Sequence, residues 1–355
     1  MEDEAIIGFP DDEWVIKKPV HISNLTINTK GMCGYATNLL LGYWNERLKL
    51  DTDYIKQVNN LGVGNRFFAR QLTAYYNPSE EPIENEVHRC FLVDVARQCM
   101  KSSSLEIDNL IVASEISDYQ TPGIAPTLLN TLGLSKFTPT FNLQGTACSS
   151  MPRCIELARH LPGNTLCLID GITSDIYQTE LQRVKHIKPY SQDWIKLMFG
   201  MLFGDATAAF IVGEGDTSTN YKVLRQAHIM NLGIGDYREA AVKRHNGFHL
   251  SADKNILNTA LKYTDVVLTK MGIESFGHYE RIILHTGSQK IISAYQDYYN
   301  FTPTQLRGSK DVLEAYGNTT GCSLPLVLNQ KEFKGKALMI GITMGFGVDI
   351  VEIEV

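Results

Sequence analysis

The sequence predicts an α/β fold, and three observations support this class. Amphipathic helical periods alternate with short runs rich in β-branched residues along most of the chain. These runs are mostly apolar rather than alternating, which predicts strands that are covered on both faces. A repeat of short motifs also predicts that the fold contains two similar halves. The candidate strands are 110-LIVASE-115, 165-TLCLID-170, 208-AAFIVG-213, 281-RIILHT-286, 337-ALMIGIT-343 and 348-VDIVEIEV-355.

The internal repeat consists of three pairs of segments in the same order, at offsets of 170 to 173 residues. This constancy favours duplication of one α/β unit. Corresponding loops of two such halves meet near the pseudo-twofold axis, so we expect one site assembled from both halves. The pairs are 111-IVASE-115 with 283-ILHTG-287, 145-GTACSSMP-152 with 318-NTTGCSLP-325, and 171-GIT-173 with 341-GIT-343.

Length and composition limit the possible functions. The chain has 355 residues, 44% of them hydrophobic, which is enough for a large core. Its formal net charge is −6 with both signs interspersed, so no basic face indicates nucleic acid or an anionic membrane. The acidic N-terminus lacks an apolar signal core, and no run approaches the roughly eighteen apolar residues of a membrane span. We expect a soluble, cytoplasmic protein.

The seven cysteines do not form a disulfide or metal pattern. Their number is odd and none lies in a CxxC or Cys/His motif, so neither disulfides nor a metal site is expected. Cys148 differs from the others because an amphipathic helix follows it, with Pro152 in the first turn. The positive end of a helix favours the thiolate form of cysteine. Cys148 is therefore the candidate nucleophile, and the other six are expected to be small buried side chains.

His285 and Asn318 are candidate partners of Cys148 from the second half. His285 follows an apolar run and should project from a strand end, where α/β folds bind ligands. Asn318 lies in 316-YGNTTG-321, within the second copy of the Cys148 segment. Taken alone, each has an ordinary interpretation, a structural histidine and a turn asparagine. The duplication brings both into loops that are expected to meet Cys148.

Together these three residues resemble the Cys-His-Asn triad of the thiolase-fold condensing enzymes, in the branch of ketoacyl-ACP synthase III and type III polyketide synthases. The segment 121-TPGIAPTLLNTLGL-134 is similar to the family's dimer-interface segment, and 202-LFGDATAAFIVG-213 to its FGDGAAA signature. The resemblance implies a homodimer. It also implies that Cys148 accepts an acyl group and that a malonyl-type thioester is then decarboxylated and condensed with it. The expected substrates are thioesters, and no cofactor is required.

The resemblance further implies a five-layered αβαβα arrangement of two halves. The first, residues 1–215, carries the nucleophile, and the second, residues 216–355, carries the histidine and asparagine. The motifs do not decide between the two enzyme types. The segment 285-HTGSQKI-291 is closer to the polyketide synthase HPGG motif, whereas 317-GNTTGCSLP-325 is closer to the synthase III GNTSAASIP motif. A role in fatty-acid biosynthesis and a role in polyketide biosynthesis are both compatible with these motifs.

Further site residues follow from the resemblance. The backbone N–H groups of Cys148 and Gly347 are expected to form the oxyanion hole, with Gly347 in the terminal GFGVDIVE loop. Arg66 matches a family arginine near the pantetheine tunnel mouth, and Thr121 and Phe346 are expected to contact substrate. The lysines that hold coenzyme A phosphates in polyketide synthases are missing beside Arg66. Coenzyme A and acyl carrier protein therefore both remain possible acyl donors.

Three other functions are compatible with parts of the pattern. Acyl transfer from Cys148 to an oxygen or nitrogen acceptor needs no decarboxylation, and the presence of Asn318 argues against it. A noncatalytic partner subunit would not need all three side chains. A papain-like hydrolase has the same residue types, but the duplicated α/β pattern opposes it. In the polar segment 173–194, Tyr177 and His186 are expected at the surface.

Overall fold

The computed structural model describes residues 15, 19–75, 86–114, 122–188, 191–213, 221–230, 242–244, 248–250, 256–330, 333–343 and 347–355. The strands are β1 Val20–Asn28, β2 Cys33–Ala36, β3 Asn65–Phe68, β4 Asn109–Ser114, β5 Thr140–Leu143, β6 Thr165–Asp170, β7 Thr207–Gly213, β8 Tyr221–Met230, β9 Val242–Arg244, β10 Phe248–Leu250, β11 Tyr279–Leu284, β12 Lys336–Thr343 and β13 Gly347–Glu354. The helices are α1 Thr37–Leu48, α2 Thr52–Asn59, α3 Glu86–Lys101, α4 Ile124–Leu132, α5 Ser150–Ala158, α6 Ser174–Gln182, α7 Gln192–Leu202, α8 Ile256–Lys270, α9 Gln289–Tyr299, α10 Arg307–Tyr316 and α11 Ser323–Leu328.

Nine of the described strands form one sheet in the order β11-β12-β13-β8-β1-β7-β6-β4-β5. The strands β1 and β8 form an antiparallel pair within this sheet, and the strand directions follow the same order on both sides of the pair. On one side, β7 is antiparallel to both β1 and β6, and β6 is parallel to β4. On the other side, β13 is antiparallel to both β8 and β12, and β12 is parallel to β11. This symmetry is the two-half α/β arrangement expected of a thiolase-like fold.

The strands are covered on both faces, as their apolar runs predict. In β6, Cys167 and Ile169 face an inner core, whereas Leu166 and Leu168 face an outer one. The inner core contains side chains of α5 and α11 together with strands of both halves. The outer cores contain α3 and α4 on the first half and α8 and α9 on the second. The two halves of the nine-stranded sheet therefore form two layers on either side of α5 and α11, which gives the order helix, sheet, helix, sheet, helix. The predicted fold class is confirmed.

The six predicted strands lie within two residues of β4, β6, β7, β11, β12 and β13. Others were not predicted: β1 and β8 carry polar residues along their length, and β5 has only four residues. The predicted boundary between the halves, at residues 215 and 216, lies outside the described residues and stays a prediction. Two smaller sheets pair β2 with β3 and β9 with β10.

Candidate active site

Cys148 lies in a short 3-10 helix, Ala147–Ser149, immediately before α5. Two residues before it have positive φ angles, +74° at Gly145 and +38° at Ala147. The value at Ala147 is unfavourable for a residue with a side chain, so surrounding contacts must hold the turn in place. Ser150 Oγ donates to Ala147 O at 2.6 Å and supplies one of these contacts. Cys148 is 7% exposed, at the N-terminal end of the helix.

The second half contains the same turn. A 3-10 helix, Thr320–Cys322, precedes α11, and Thr320 has a φ of +48° at the position equivalent to Ala147. Gly321 occupies the position equivalent to Cys148. A Cβ on Gly321 would lie 2.7 Å from Ser150 Oγ, so the two turns are in contact at this glycine. Only one of the two duplicated turns therefore has room for a reactive side chain.

His285 directly follows β11, and its backbone N–H donates to Ile340 O at 3.0 Å. The side chain is buried, and burial lowers the pKa of His285 to about 3. At neutral pH the imidazole is therefore neutral and can donate one hydrogen bond. Its Nδ1 atom has no hydrogen-bond partner among the described residues.

Asn318 is held by the turn that it begins. Its side-chain oxygen accepts from the Thr320 backbone N–H at 2.9 Å and from Ser323 Oγ at 3.4 Å. Because the oxygen accepts these bonds, the amide nitrogen is the end that can donate to another group. The backbone of Asn318 forms a parallel bridge with Phe203, at the start of the FGD motif. Asn318 is buried, with 4% exposure.

Hydrogen bonds connect the loops that carry these residues. Thr286, next to His285, donates to Ser323 Oγ at 2.9 Å, and Ser323 contacts Asn318. At the end of β12, Thr343 Oγ1 donates to Thr146 O at 3.2 Å, two residues before Cys148. The first set of bonds joins the His285 loop to the Asn318 turn, and the second joins the end of β12 to the Cys148 turn.

The other predicted site residues are Thr121, Phe346, Gly347 and Arg66. Thr121 and Phe346 are outside the described residues. Gly347 is the first residue of β13 and pairs with both Thr343 and Met230. Arg66, on β3, is fully buried, and its Nη2 donates to Thr37 Oγ1 at 2.6 Å. Burial lowers the pKa of Arg66 to about 10. The predicted roles of these four residues stay predictions.

Some expectations about individual side chains are wrong. Tyr177 is buried and stacks on Phe203, with ring centroids 4.7 Å apart, because α6 packs on α7. His186 is exposed, as expected. Among the other six cysteines, Cys90 is exposed and Cys33 half-buried, and the rest are buried.

Asp205, the aspartate of the FGD motif, has a structural role that the sequence analysis did not predict. Its carboxylate is fully buried and accepts from the backbone N–H groups of Ala69, Thr173 and Ser174 at 2.8 to 2.9 Å, and from the Ser174 hydroxyl. Burial raises the pKa of Asp205 to about 6. The side chain fixes the start of α6 next to β3. Motif spacing cannot predict this role of Asp205, because the donors Ala69, Thr173 and Ser174 are 31 to 136 residues away in the sequence.

A buried ion cluster lies at the ends of β4 and β6. His88 Nδ1 lies 2.7 Å from Asp170 Oδ2, and Nε2 lies 3.1 Å from Asp175 Oδ2. Arg70 Nε pairs with Asp175 Oδ1 at 3.2 Å, and Ser114 Oγ donates to Asp170. Burial lowers the pKa of His88, but the charges and hydrogen bonds of the two carboxylates outweigh it and leave the pKa well above its usual value. His88 is therefore an imidazolium in the folded protein.

We expect the His88 cluster to make stability decrease with rising pH. Unfolded histidine has a pKa near 6.5, so the cluster contributes fully below that pH and its contribution is lost as the pH rises through the raised folded pKa. Between these limits, wild type should lose about 1.4 kcal/mol of unfolding free energy per pH unit relative to His88→Gln. Urea unfolding at pH 6.5 to 9 measures both slopes. His186→Gln is the control, and equal slopes for wild type and His88→Gln would contradict the assignment.

One group of described residues has metal-ligating atoms close together. The side chains of Glu156, His228 and Asp349 offer ligand atoms within 4.8 Å of one another. Arg153 pairs with Glu156 at 3.0 Å and with Asp349 at 3.0 Å. A guanidinium thus already supplies the positive charge between the two carboxylates.

Comparisons with known proteins give a distant relative. No protein-family model matches the chain. The chain is 26% identical over 247 residues to the β-ketoacyl-[acyl-carrier-protein] synthase III of Acholeplasma laidlawii (strain PG-8A), covering 68% of this chain and 73% of the relative. Among the described residues, no helix is both long and apolar enough to cross a bilayer. The chain is therefore similar in sequence to a ketoacyl synthase III, and its fold is thiolase-like.

Proposed function

We propose that this protein is an acyl-thioester condensing enzyme that uses Cys148, His285 and Asn318. The observation that carries the proposal is the pair of hydrogen-bond donors from the second half. His285 is neutral because it is buried, and Asn318 is oriented with its amide nitrogen available. Asn318 begins the duplicate of the Cys148 turn, and Thr286, next to His285, donates to Ser323 at the end of that duplicate turn. Two neutral donors suit an enolate oxygen, whose charge develops during reaction.

The first step is acyl transfer. The Cys148 thiolate attacks the thioester carbonyl and forms an S-acyl bond, and the donor leaves as a thiolate that takes a proton from water. Covalent catalysis of this kind replaces one difficult step by two easier ones. The backbone N–H groups of Cys148 and Gly347 would stabilise the tetrahedral oxyanion.

The second step is condensation. A malonyl-type thioester loses carbon dioxide, and the electrons of the broken carbon–carbon bond form an enolate that accepts hydrogen bonds from His285 and Asn318. The enolate carbon then attacks the acyl-Cys148 carbonyl, forms the new carbon–carbon bond and releases the thiolate. The product is a β-ketoacyl thioester.

Substrates and assembly are parts of the same proposal. Acyl carrier protein or coenzyme A would deliver both thioesters, and the name of the relative favours the carrier protein. Arg66, Thr121 and Phe346 would contact the substrate. We also propose a homodimer, because β5 ends the nine-stranded sheet and pairs only with β4 among the described strands. Size-exclusion chromatography with light scattering tests the dimer.

Intact-protein mass spectrometry tests the reaction. Wild type is exposed to short acyl thioesters of coenzyme A and of carrier protein, and then chased with the malonyl thioester. A mass increase equal to the acyl group, lost on the chase with release of carbon dioxide and a β-ketoacyl product, supports the proposal. Loss of the adduct to an oxygen or nitrogen acceptor without carbon dioxide would indicate an acyltransferase. No adduct with any donor would indicate a noncatalytic subunit.

A further inference from the structure

Ser323 and Ser150 occupy equivalent positions in the two duplicated turns, but their hydroxyl groups have different acceptors. In the first half, Ser150 Oγ donates to the main-chain oxygen of Ala147 at 2.6 Å. In the second half, Ser323 Oγ donates to the side-chain oxygen of Asn318 at 3.4 Å. The residue equivalent to Asn318 in the first half is Gly145, which has no side chain. The serine-to-side-chain bond is therefore specific to the second turn.

The main chain of Asn318 is fixed without any contribution from Ser323. Asn318 N donates to Leu202 O at 3.0 Å, and Gly204 N donates to Asn318 O at 3.1 Å. These two bonds hold the backbone against the FGD segment and leave the rotation of the side-chain amide to be determined by other contacts. An amide has a donor end and an acceptor end. A half-turn of the Asn318 amide would therefore present its oxygen, rather than its nitrogen, to the enolate.

Two donors oppose this half-turn. The Thr320 N–H donates to the Asn318 side-chain oxygen at 2.9 Å, and the Ser323 hydroxyl donates to the same oxygen. A hydroxyl can rotate, so its own neighbours decide where its hydrogen points. Thr286 Oγ1 donates to Ser323 Oγ at 2.9 Å, which leaves the Ser323 hydrogen free for Asn318. Thr286 and Ser323 are both fully buried, so this chain of two bonds is shielded from solvent.

We propose that Ser323 is a positioning residue, and that its hydroxyl, ordered by Thr286, holds the Asn318 amide with the nitrogen directed at the enolate. This inference rests on the proposed function of Asn318. A donor that is already oriented costs no reorganisation when the negative charge develops. Thr286 directly follows His285, so the same chain of bonds also links the loops of the two proposed enolate donors.

The experiment follows condensation separately from acylation. The enzyme is first acylated to completion, which intact-protein mass spectrometry verifies, and is then chased with a saturating labelled malonyl thioester. Ser323→Ala should acylate at nearly the wild-type rate, but its adduct loss and carbon dioxide release during the chase should be about tenfold slower, as for loss of one hydrogen bond. The defect should remain at saturation, because Asn318 acts on charge that develops only during the reaction.

A pair of variants at Thr286 tests the same chain if Ser323→Ala does not fold. Thr286→Val is similar in shape but lacks the hydroxyl that donates to Ser323, so its chase should be about threefold or more slower. Thr286→Ser keeps a hydroxyl and should recover most of the rate that is lost in Thr286→Val.

Two further serine variants are the controls. Ser150→Ala removes the equivalent hydroxyl of the Cys148 turn, so it should slow acylation but leave the chase of the acylated enzyme near the wild-type rate. Ser23→Ala removes a buried hydroxyl that has no hydrogen-bond partner among the described residues, and it should change neither step. If Ser150→Ala and Ser323→Ala slow the same step equally, the effect is a general loosening of the two turns and the inference is wrong.

A double variant tests whether Ser323 acts through Asn318. In Asn318→Ala the Ser323 hydroxyl has lost its acceptor, so adding Ser323→Ala should slow the chase by no more than about twofold. A further loss of about tenfold in this background would overturn the inference, because the hydroxyl would then act independently of Asn318.

The failure of the inference is distinct from the failure of the proposed function. Wild-type chase rates in both Ser323→Ala and Thr286→Val, on an enzyme that acylates and condenses normally, would overturn the role of Ser323 alone. A wild type that forms no adduct and releases no carbon dioxide with any thioester would contradict the proposed function, and the role of Ser323 in it.

Discussion

Cys148→Ala is expected to abolish both the acyl-enzyme adduct and product formation. Alanine keeps the small apolar volume of the buried side chain but removes the sulfur that forms the covalent bond. Without the intermediate, the loss of product should be at least about 10⁴-fold, as for removal of other catalytic nucleophiles. Intact-protein mass spectrometry after exposure to acyl thioester, with a parallel product assay, gives both readouts.

The matched control for this variant is Cys154→Ala. Cys154 is also a buried cysteine, but it lies on α5, six residues after Cys148, and its side chain packs in the inner core. This variant should keep the adduct and most of the activity. An adduct of normal yield on Cys148→Ala would show that another residue is acylated and would remove the basis of the proposed function.

His285→Ala and Asn318→Ala are expected to separate the two half-reactions. Both side chains are assigned to the enolate rather than to acyl transfer, so each variant should form the acyl-enzyme at nearly the wild-type rate. Loss of one preorganised donor typically costs about 3–4 kcal/mol of barrier, or roughly 10²–10³-fold in rate. Release of labelled carbon dioxide from a malonyl thioester should slow by this factor.

Conservative replacements refine this test. Asn318→Asp keeps the side-chain oxygen that accepts from Thr320 but replaces the donating amide, so it should be as defective in decarboxylation as alanine. His285→Gln, which keeps a neutral donor, should lose less than His285→Ala. If decarboxylation by the alanine variants runs at the wild-type rate while acylation is lost, the two roles have been assigned to the wrong step.

The sequence predicts the strands and the nucleophile turn because both depend on local patterns. The runs that form β4, β6 and β12 are continuous and apolar, since helices cover both faces of the sheet. The strand β8 escapes prediction because Lys222 and Arg225 interrupt its apolar residues. In the structure Lys222 is exposed and Arg225 is half-buried, so these two charged side chains do not prevent the strand from forming.

The site is predictable only in part. The motif repeat predicts that Cys148 and Asn318 occupy equivalent segments, and the structure contains the same 3-10 turn with a positive φ in both. The repeat does not explain why only the first turn carries the thiol. That depends on the contact between Gly321 and Ser150, which belong to different halves.

Periodicity and short motifs within single segments predict the fold class, the duplication and the three candidate reactive residues. The chemical states of the side chains depend instead on the packed structure. His285 is neutral because the assembled core removes water from it, and His88 is charged because Asp170 and Asp175 meet it from a distant part of the chain. Asp349 and Arg153 are 196 residues apart, yet they share one buried ion pair. Burial and charge proximity are properties of the packed chain, so local sequence patterns cannot specify them.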